Sequence, residues 1–269
     1  MVVKTNVQAL NANRQLNITT DEIASSTEKL SSGYRINRAA DDAAGLSISE
    51  KMRTQIRGLT QASANAQDGI SFVQTAEGAL SEVQDMLQRM NELAVQAANG
   101  TNSTIQQGYI NEEIDALKAE IDRIGEDTKF NGMSAFGTTI TFQVGSENTD
   151  AAKITISTAV LNTSSLSIGD KTVETQAEAQ EFLDYVQADI EKISAMRSSL
   201  GAVQNRLEYS IKNLDNVVEN TTAAESRIRD TDMSTEMVAY SNNNILSQAG
   251  QAMLAQANQA NQGVLSLLG

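Results

Sequence analysis

The side chains able to do chemistry in this 269-residue chain form an incomplete set. There are 34 Asp and Glu and 20 Lys and Arg, but no His and no Cys. Ser-His-Asp and Cys-His catalysis are excluded by that count. Zinc sites of the usual kind are excluded with them, since their ligands come mainly from the same two residues. The carboxylates are plentiful, yet none pairs in a pocket-like context, and they read as solvated helix faces. Arg89, Glu92, Leu93 and Gln96 lie at i, i+3, i+4 and i+7 on one helix face. That face is offset from the seam of Leu87, Met90 and Ala94, so it is expected to be exposed. Arg38, Asp41 and Asp42 precede an apolar-periodic run, where the simplest role for the acids is helix capping.

The elements that must carry these residues are helical. Pro is absent, so long helices meet no breaker. Ile48, Met52, Ile56 and Leu59 lead into Ala66, Ile70, Val73, Ala76, Leu80, Val83, Leu87, Met90, Ala94 and Ala97, in steps of three and four with one seven. This predicts a helix with a single apolar stripe, ended at Asn99-Gly100 by a left-handed glycine cap. Ile110, Ile114, Leu117, Ile121 and Ile124 predict a second helix, closed by Gly125. Phe182, Val186, Ile190, Ile193, Met196, Leu200, Val203, Leu207, Leu214, Val217, Ala224 and Ile228 predict a third, with Ser210 and Thr221 in its seam. From Thr175 to Ile228 it spans about 54 residues, on the order of 80 Å. Spacing held over such a length predicts coiled-coil packing, and three striped helices can close one rod-like core. Gly58, Gly69, Gly78 and Gly201 inside these helices read as tolerated surface positions or as points of close helix approach.

Between the helices the period changes to two. Ile140, Phe142 and Val144 alternate with polar residues, as do Ile154 and Ile156, which predicts a β-hairpin over about 138–158. The Ser/Thr-rich segment 157–174, with Gly169-Asp170, reads as a surface loop or turn, and its stretch 157–167 as a weak glycosylation candidate. The fold class is therefore mainly α: a long helical coiled-coil rod with a small β-hairpin, plus a terminal part made of the two chain ends.

Charge divides the chain. The net charge is -14. Residues 1–44 balance five bases against five acids, 45–229 hold 15 bases and 26 acids, and 230–269 hold three acids and no base. That places composition boundaries near 44 and near 229–230. An acidic balance argues against nucleic acid as a partner, because a basic face is needed to meet phosphates. No run of 18 apolar residues exists to insert in a membrane, and Met1 to Asn17 lacks the apolar core of a secretory signal. Both ends are amide-rich. Val3, Val7, Leu10, Ile23 and Leu30 are diluted by Asn and Gln, and 233–269 carries five Gln and five Asn around Met237, Val238, Ile245, Met253, Leu254, Val264, Leu265, Leu267 and Leu268. Neither end offers enough large apolar surface to offset its ordering entropy alone. Each reads as a frayed tail or as an arm that orders against other copies.

The run Leu30-Ser31-Ser32-Gly33-Tyr34-Arg35-Ile36-Asn37, followed by Ala39-Ala40-Asp41-Asp42-Ala43-Ala44-Gly45-Leu46, resembles the N-terminal signature of bacterial flagellins. The opening Thr5-Asn6-Val7-Gln8-Ala9-Leu10-Asn11-Ala12 and the run from Gln88-Arg89-Met90-Asn91-Glu92-Leu93 through Asn102 are similar too. So are Leu200 to Leu207, Ala224 to Asp232, and the closing Ile245 to Gly269. Only about 145–180 is unmatched, which suggests a short flagellin without a large outer domain.

The resemblance implies a structural subunit that stacks head to tail into the helical bacterial flagellar filament for motility. It implies export through the flagellar type III apparatus with a chaperone and without a cleaved signal. Localisation in a secreted, extracellular filament follows, with contacts to hook-associated junction and cap proteins. It implies inter-subunit contacts through Arg35, Arg38, Asp41, Asp42, Ile245, Leu254, Leu265 and Leu268, and a spoke-like segment from Arg35 to Arg57. It further implies recognition by the animal Toll-like receptor for flagellin at Gln88, Arg89, Glu92, Leu93, Gln96 and Glu113. No enzyme activity and no cofactor are expected. The metalloprotease insert of some flagellins needs a His-Glu-x-x-His motif, and there is no His here. A hook-filament junction protein is the alternative. A chemoreceptor-like coiled coil explains neither the hairpin nor the amide-rich ends.

Overall fold

The computed structural model describes residues 5–268, with side chains described for 5–259. The sequence expectations on Val3, and on the side chains of Val264, Leu265, Leu267 and Leu268, lie outside the described residues. The chain runs α1 (Val7–Ser32), α2 (Ala43–Ala97), α3 (Thr104–Asp127), β1 (Lys129–Phe130), β2 (Met133–Ser134), β3 (Thr139–Gln143), β4 (Lys153–Ser157), α4 (Gln176–Arg229) and α5 (Met233–Leu268). Two compact units form, one from 57–218 and one from 1–56 with 219–269.

Helix starts follow from local polar chemistry. Asn6 Oδ1 accepts from the Ala9 amide at 3.0 Å at the head of α1. Asp42 Oδ1 accepts from the Gly45 amide at 2.9 Å at the head of α2. Ser103 and Gln106 form a reciprocal capping box at α3, and Thr175 with Glu178 forms another at α4. Each such cap satisfies amides that the first turn leaves without a helical partner.

In the 57–218 unit the predicted seams are the core. Phe72, Val73, Ala76, Leu80, Val83, Leu87, Met90 and Ala94 of α2 meet Ile110, Ile114 and Ile121 of α3 and Phe182, Val186, Ile193 and Leu200 of α4, all buried. β3 and β4 pair antiparallel with Thr141 opposite Thr155, the expected hairpin, and bring Ile154 and Val144 against Ala66 and Leu207. A second hairpin, β1 with β2, was not anticipated. Asn131 and Gly132 form its turn at φ 49° and 79°. An Asn-Gly pair suits a two-residue turn with both central residues left-handed.

Three local expectations are corrected. Segment 157–174 is the expected loop of turns, but it does not lie wholly at the surface, for Leu161, Leu166, Ile168 and Val173 are all buried. Polar side chains of α3 and α4 accept from its main-chain amides. Asp122 accepts from the Thr163 amide at 2.6 Å and hydroxyl at 2.8 Å. The buried Asp189 accepts from the Ser167 amide at 2.7 Å, and Asn111 Oδ1 accepts from the Val173 amide at 3.1 Å. With Thr163 itself buried, the exposed acceptor hydroxyls expected of a glycosylated stretch are reduced. Gly125 does not close α3 but lies within it, where a Cβ would collide with the Leu161 carbonyl. Close approach of the segment is the reason for glycine there. Gly100 does not take the left-handed conformation; α1 ends that way instead, with Gly33 at φ 75° and its amide donating to Lys29 O at 2.9 Å. Of the helical glycines, Gly69 has Leu207 and Phe142 at 3.2 Å from an added Cβ, whereas Gly78 and Gly201 face open space.

In the other unit α1 packs along α5. Asn6 Nδ2 donates to Ala257 O at 3.0 Å, Leu16 lies beside Gly250, and the Thr231 amide donates to Gly33 O at 3.0 Å. Position rises on one helix as it falls on the other, so the pair is antiparallel. Tyr34 and Asp230 form a β-bridge, reinforced by the Arg35 amide donating to Arg229 O at 2.6 Å. The ends are thus paired helices, not frayed tails. Ile36 is the one large apolar side chain buried in this unit among the described residues.

Candidate functional site

Two surfaces gather the residues singled out above, one in each unit. In the terminal unit, the polar residues of 35–42 are tied within the chain. Arg35 Nη2 donates to Ile228 O at 2.6 Å. Arg38 grips Glu28 with both nitrogens, Nε at 3.0 Å and Nη2 at 2.9 Å. Asp41 Oδ2 accepts from the Asn37 and Arg38 amides at 3.0 and 2.8 Å. These bonds hold its carboxyl below the usual carboxylate range, the Arg38 amide contributing most and the Asn37 amide next. Asp42 caps α2. Arg229 reaches Glu50 at 2.7 Å and lies 4.9 Å from the Tyr34 ring centre. Together these bonds lock the α1–α2 connection to the α4–α5 connection. Asp232 secures the start of α5, accepting chiefly from the Thr235 amide and hydroxyl and then from the Ser234 amide, which lowers its pKa from the ordinary value.

Beyond that lock the unit leaves large apolar residues exposed. Ile245 is 64% exposed, and Met237, Val238, Leu246 and Met253 are exposed with it on α5, as are Val7, Leu10 and Ile18 on α1. Leu254 is only half-buried. Leu265 and Leu268 have side chains outside the described residues. The half-buried positions of α5 are Glu236, Ala239, Tyr240, Asn243, Asn244, Ser247, Gly250, Leu254 and Ala257, and they recur at helical spacing on one side. The exposed part of the circumference carries Met237, Val238, Ile245, Leu246 and Met253 interspersed with Ser234, Ser241, Asn242, Gln248 and Gln256. The half-buried part carries Asn243, Asn244, Ser247 and Gly250 together with Tyr240 and Leu254. Large apolar groups are thus left exposed on this helix among the described residues.

In the 57–218 unit, Arg89 is the centre of the second surface. Its Nη2 and Nε donate to Glu113 Oε1 at 2.9 and 3.1 Å, and its Nη1 to Glu92 Oε2 at 3.1 Å. The partnership raises the guanidinium pKa above its ordinary value, Glu113 contributing most. Gln88, Arg89, Glu92, Gln96 and Glu113 are exposed. Leu93 is not: it is 2% exposed and part of the core. The i+4 position that shares a face with Arg89 falls at the edge of the apolar stripe, and the helices that close the core cover that edge. Sequence spacing also missed exposed apolar neighbours. Ile105 and Tyr109, 70% and 66% exposed, stand two turns and one turn before Glu113 on α3. Their signal was available: large apolar residues off the Ile110, Ile114 and Ile121 seam.

Among the described residues there is no cluster of side chains able to hold a metal ion, and no helix is long and apolar enough to cross a membrane.

Residues 3–141 match the family model of the bacterial flagellin N-terminal helical region, and residues 183–268 that of the C-terminal helical region. The chain is 49% identical to a flagellin of Halalkalibacterium halodurans and 46% identical to a flagellin of Bacillus subtilis, each over the full length of both chains. It is 46% identical to the flagellar filament 33 kDa core protein of Treponema phagedenis, again over the full length of both. Among solved structures, the Bacillus cereus flagellin crystal structure is 30% identical and superposes with a TM-score of 0.50, covering 56% of this chain and 88% of that one.

Proposed function

This chain belongs to the bacterial flagellin family, and from that premise we propose that it is a structural subunit of the extracellular flagellar filament. It adds copy to copy through the exposed apolar sides of α1 and α5. The observation that carries this reading is the helix α5, with Met237, Val238, Ile245, Leu246 and Met253 exposed. Only another chain can bury that surface, and identical copies stacked head to tail, without closing into a ring, extend into a filament. Full-length similarity to proteins named as filament core proteins supports the same reading. On it, 1–44 with 230–269 form the assembling domain, which gains its full burial on polymerisation, and 45–229 form the rod. Arg35, Arg38, Asp41 and Asp42 then act by fixing the α1–α2 connection so that the assembling faces are presented in one register. Export of this subunit falls to a chaperone and the flagellar type III apparatus, and its ends meet the hook-associated junction and cap proteins.

Electron microscopy of the purified chain under polymerising conditions tests this. Filaments are expected from the unaltered chain and not from Ile245→Asp. Filaments of normal yield from that variant would defeat the proposed face.

A second reading concerns an animal host. Arg89, Glu92 and Glu113 form one exposed ion-paired cluster with Gln88 and Gln96 beside it. This supports recognition by the Toll-like receptor for flagellin at these five residues, with Leu93 acting from the core as support for the helix. In a receptor reporter assay Arg89→Ala is expected to signal at least tenfold more weakly, while Leu93→Ala loses folding stability first. Unchanged signalling by Arg89→Ala refutes the assignment.

A further inference from the structure

Methionine is spread unevenly over the chain. Met90 is fully buried, and Met52, Met86 and Met196 are half-buried. Met233, Met237 and Met253 on α5 are 47%, 50% and 64% exposed. The only other comparably exposed methionine among the described residues is Met133 on β2, at 50%. Met237 and Met253 are exposed on the same helix as Val238, Ile245 and Leu246, and Met233 is exposed at its first residue. A structural chain with no Cys has no thiol to react with an oxidant first, so thioethers are its most readily oxidised side chains, and exposure ranks them.

We propose that Met233, Met237 and Met253 are modification sites at which a hydroperoxide blocks assembly of the free subunit, and that assembly in turn shields them. The inference rests on the filament reading above. In the reaction the thioether sulfur attacks one oxygen of hydrogen peroxide. An S–O bond forms and the O–O bond breaks, the sulfur loses two electrons, and the departing oxygen leaves as water after taking up the remaining proton. The product sulfoxide is polar and chiral where the thioether was flexible and apolar. Burying the sulfoxide in an interface takes a strong acceptor out of water, which costs free energy wherever no donor replaces the one lost. Each such group raises the concentration needed for polymerisation by about tenfold. The change is reversible: a sulfoxide reductase supplied with a dithiol returns the sulfide, with one disulfide and one water as products.

The test treats the purified full-length subunit with hydrogen peroxide, maps sulfoxides by mass spectrometry of peptides, and measures the critical concentration for polymerisation by sedimentation. Oxidised subunit is expected to polymerise at least tenfold less readily than untreated subunit, and reductase treatment is expected to restore it. Preformed filaments are expected to take up oxygen at the three α5 positions at least tenfold more slowly than free subunit. The variant Met233→Leu, Met237→Leu, Met253→Leu keeps apolar side chains of similar volume, and its assembly is expected to survive peroxide; Met133→Leu is expected to remain sensitive. Oxidised subunit that polymerises within twofold of untreated subunit overturns the inference. So does equal oxidation of the α5 positions in subunit and filament, a measurement that stands even if the triple variant folds poorly. Untreated subunit that forms no filament overturns the filament reading, and this inference with it.

Discussion

The two units of this chain are made from the same kind of residue and solve burial differently. Both are helical, low in aromatics and rich in Ala. In 57–218, three stripes and two hairpins close on one another, and Phe72, Phe182, Leu87 and Leu207 are almost wholly withdrawn from water. The unit of the chain ends buries Thr19, Ser26, Ser49 and Ile36 but leaves Val7, Leu10, Ile245, Leu246 and Met253 outside. Burial of large apolar groups is the main term offsetting conformational entropy. The first unit holds its offset within the chain. The second keeps most of it available for a partner, and holds its geometry meanwhile by capping carboxylates, a β-bridge and the Arg229–Glu50 pair.

That contrast can be broken by substitution. Phe182→Ala, at a fully buried core position, should cost about 3–5 kcal/mol, read from denaturant unfolding followed by circular dichroism. Gly125→Ala should cost about 1–3 kcal/mol, because the Leu161 carbonyl occupies the space of the new methyl. Gly78→Ala is the matched control: with open space around it, it should stabilise the subunit by up to about 1 kcal/mol. Ile245→Ala should change subunit stability by no more than about 0.5 kcal/mol, yet weaken polymerisation. A loss as large as that of Phe182→Ala would mean that the terminal unit buries its apolar surface within the chain, and the contrast would fail.

The smallest expected effect is on pH. Asp41 and Asp232 have carboxyls held below their ordinary range by main-chain amides of the terminal unit. A depressed folded pKa contributes stability in full above the unfolded value, about 4, and loses it as pH falls through the folded value. The terminal helices should therefore loosen below about pH 4, and an Asp41→Asn, Asp232→Asn variant should show a flatter acid limb. Hydrogen exchange at the Asn37, Arg38 and Thr235 amides reads this directly. Equal acid sensitivity in both proteins would remove the role given to these carboxylates.

Much of this architecture was legible in the residues, and the illegible parts share a cause. The seams of α2, α3 and α4 and the β3–β4 hairpin followed from periodicity, because an amphipathic element writes its own buried face into its spacing. Segment 158–174 did not. Its burial depends on Asp122, Asp189 and Asn111, which come from two other helices and satisfy its amides, so no local pattern records it. The Asn131-Gly132 turn did carry a local signal that went unread. In the candidate site, the exposed cluster of Arg89, Glu92 and Glu113 was legible as residue types, but its geometry depends on α3 lying beside α2, and the same packing turned Leu93 inward.

By itself, then, the sequence determined which segments are helical, which stripe each would bury, and that no His- or Cys-dependent chemistry is available. These are properties of near neighbours along the chain, set by backbone sterics and by the 3.6-residue period. The tertiary structure alone decided that Leu161, Leu166, Ile168 and Val173 of the 157–174 loop join the core, that Gly125 is a point of contact instead of a helix end, and which side of α5 goes to α1. Those outcomes depend on groups far apart in sequence competing for the same space and the same hydrogen bonds, and only the folded chain brings them together.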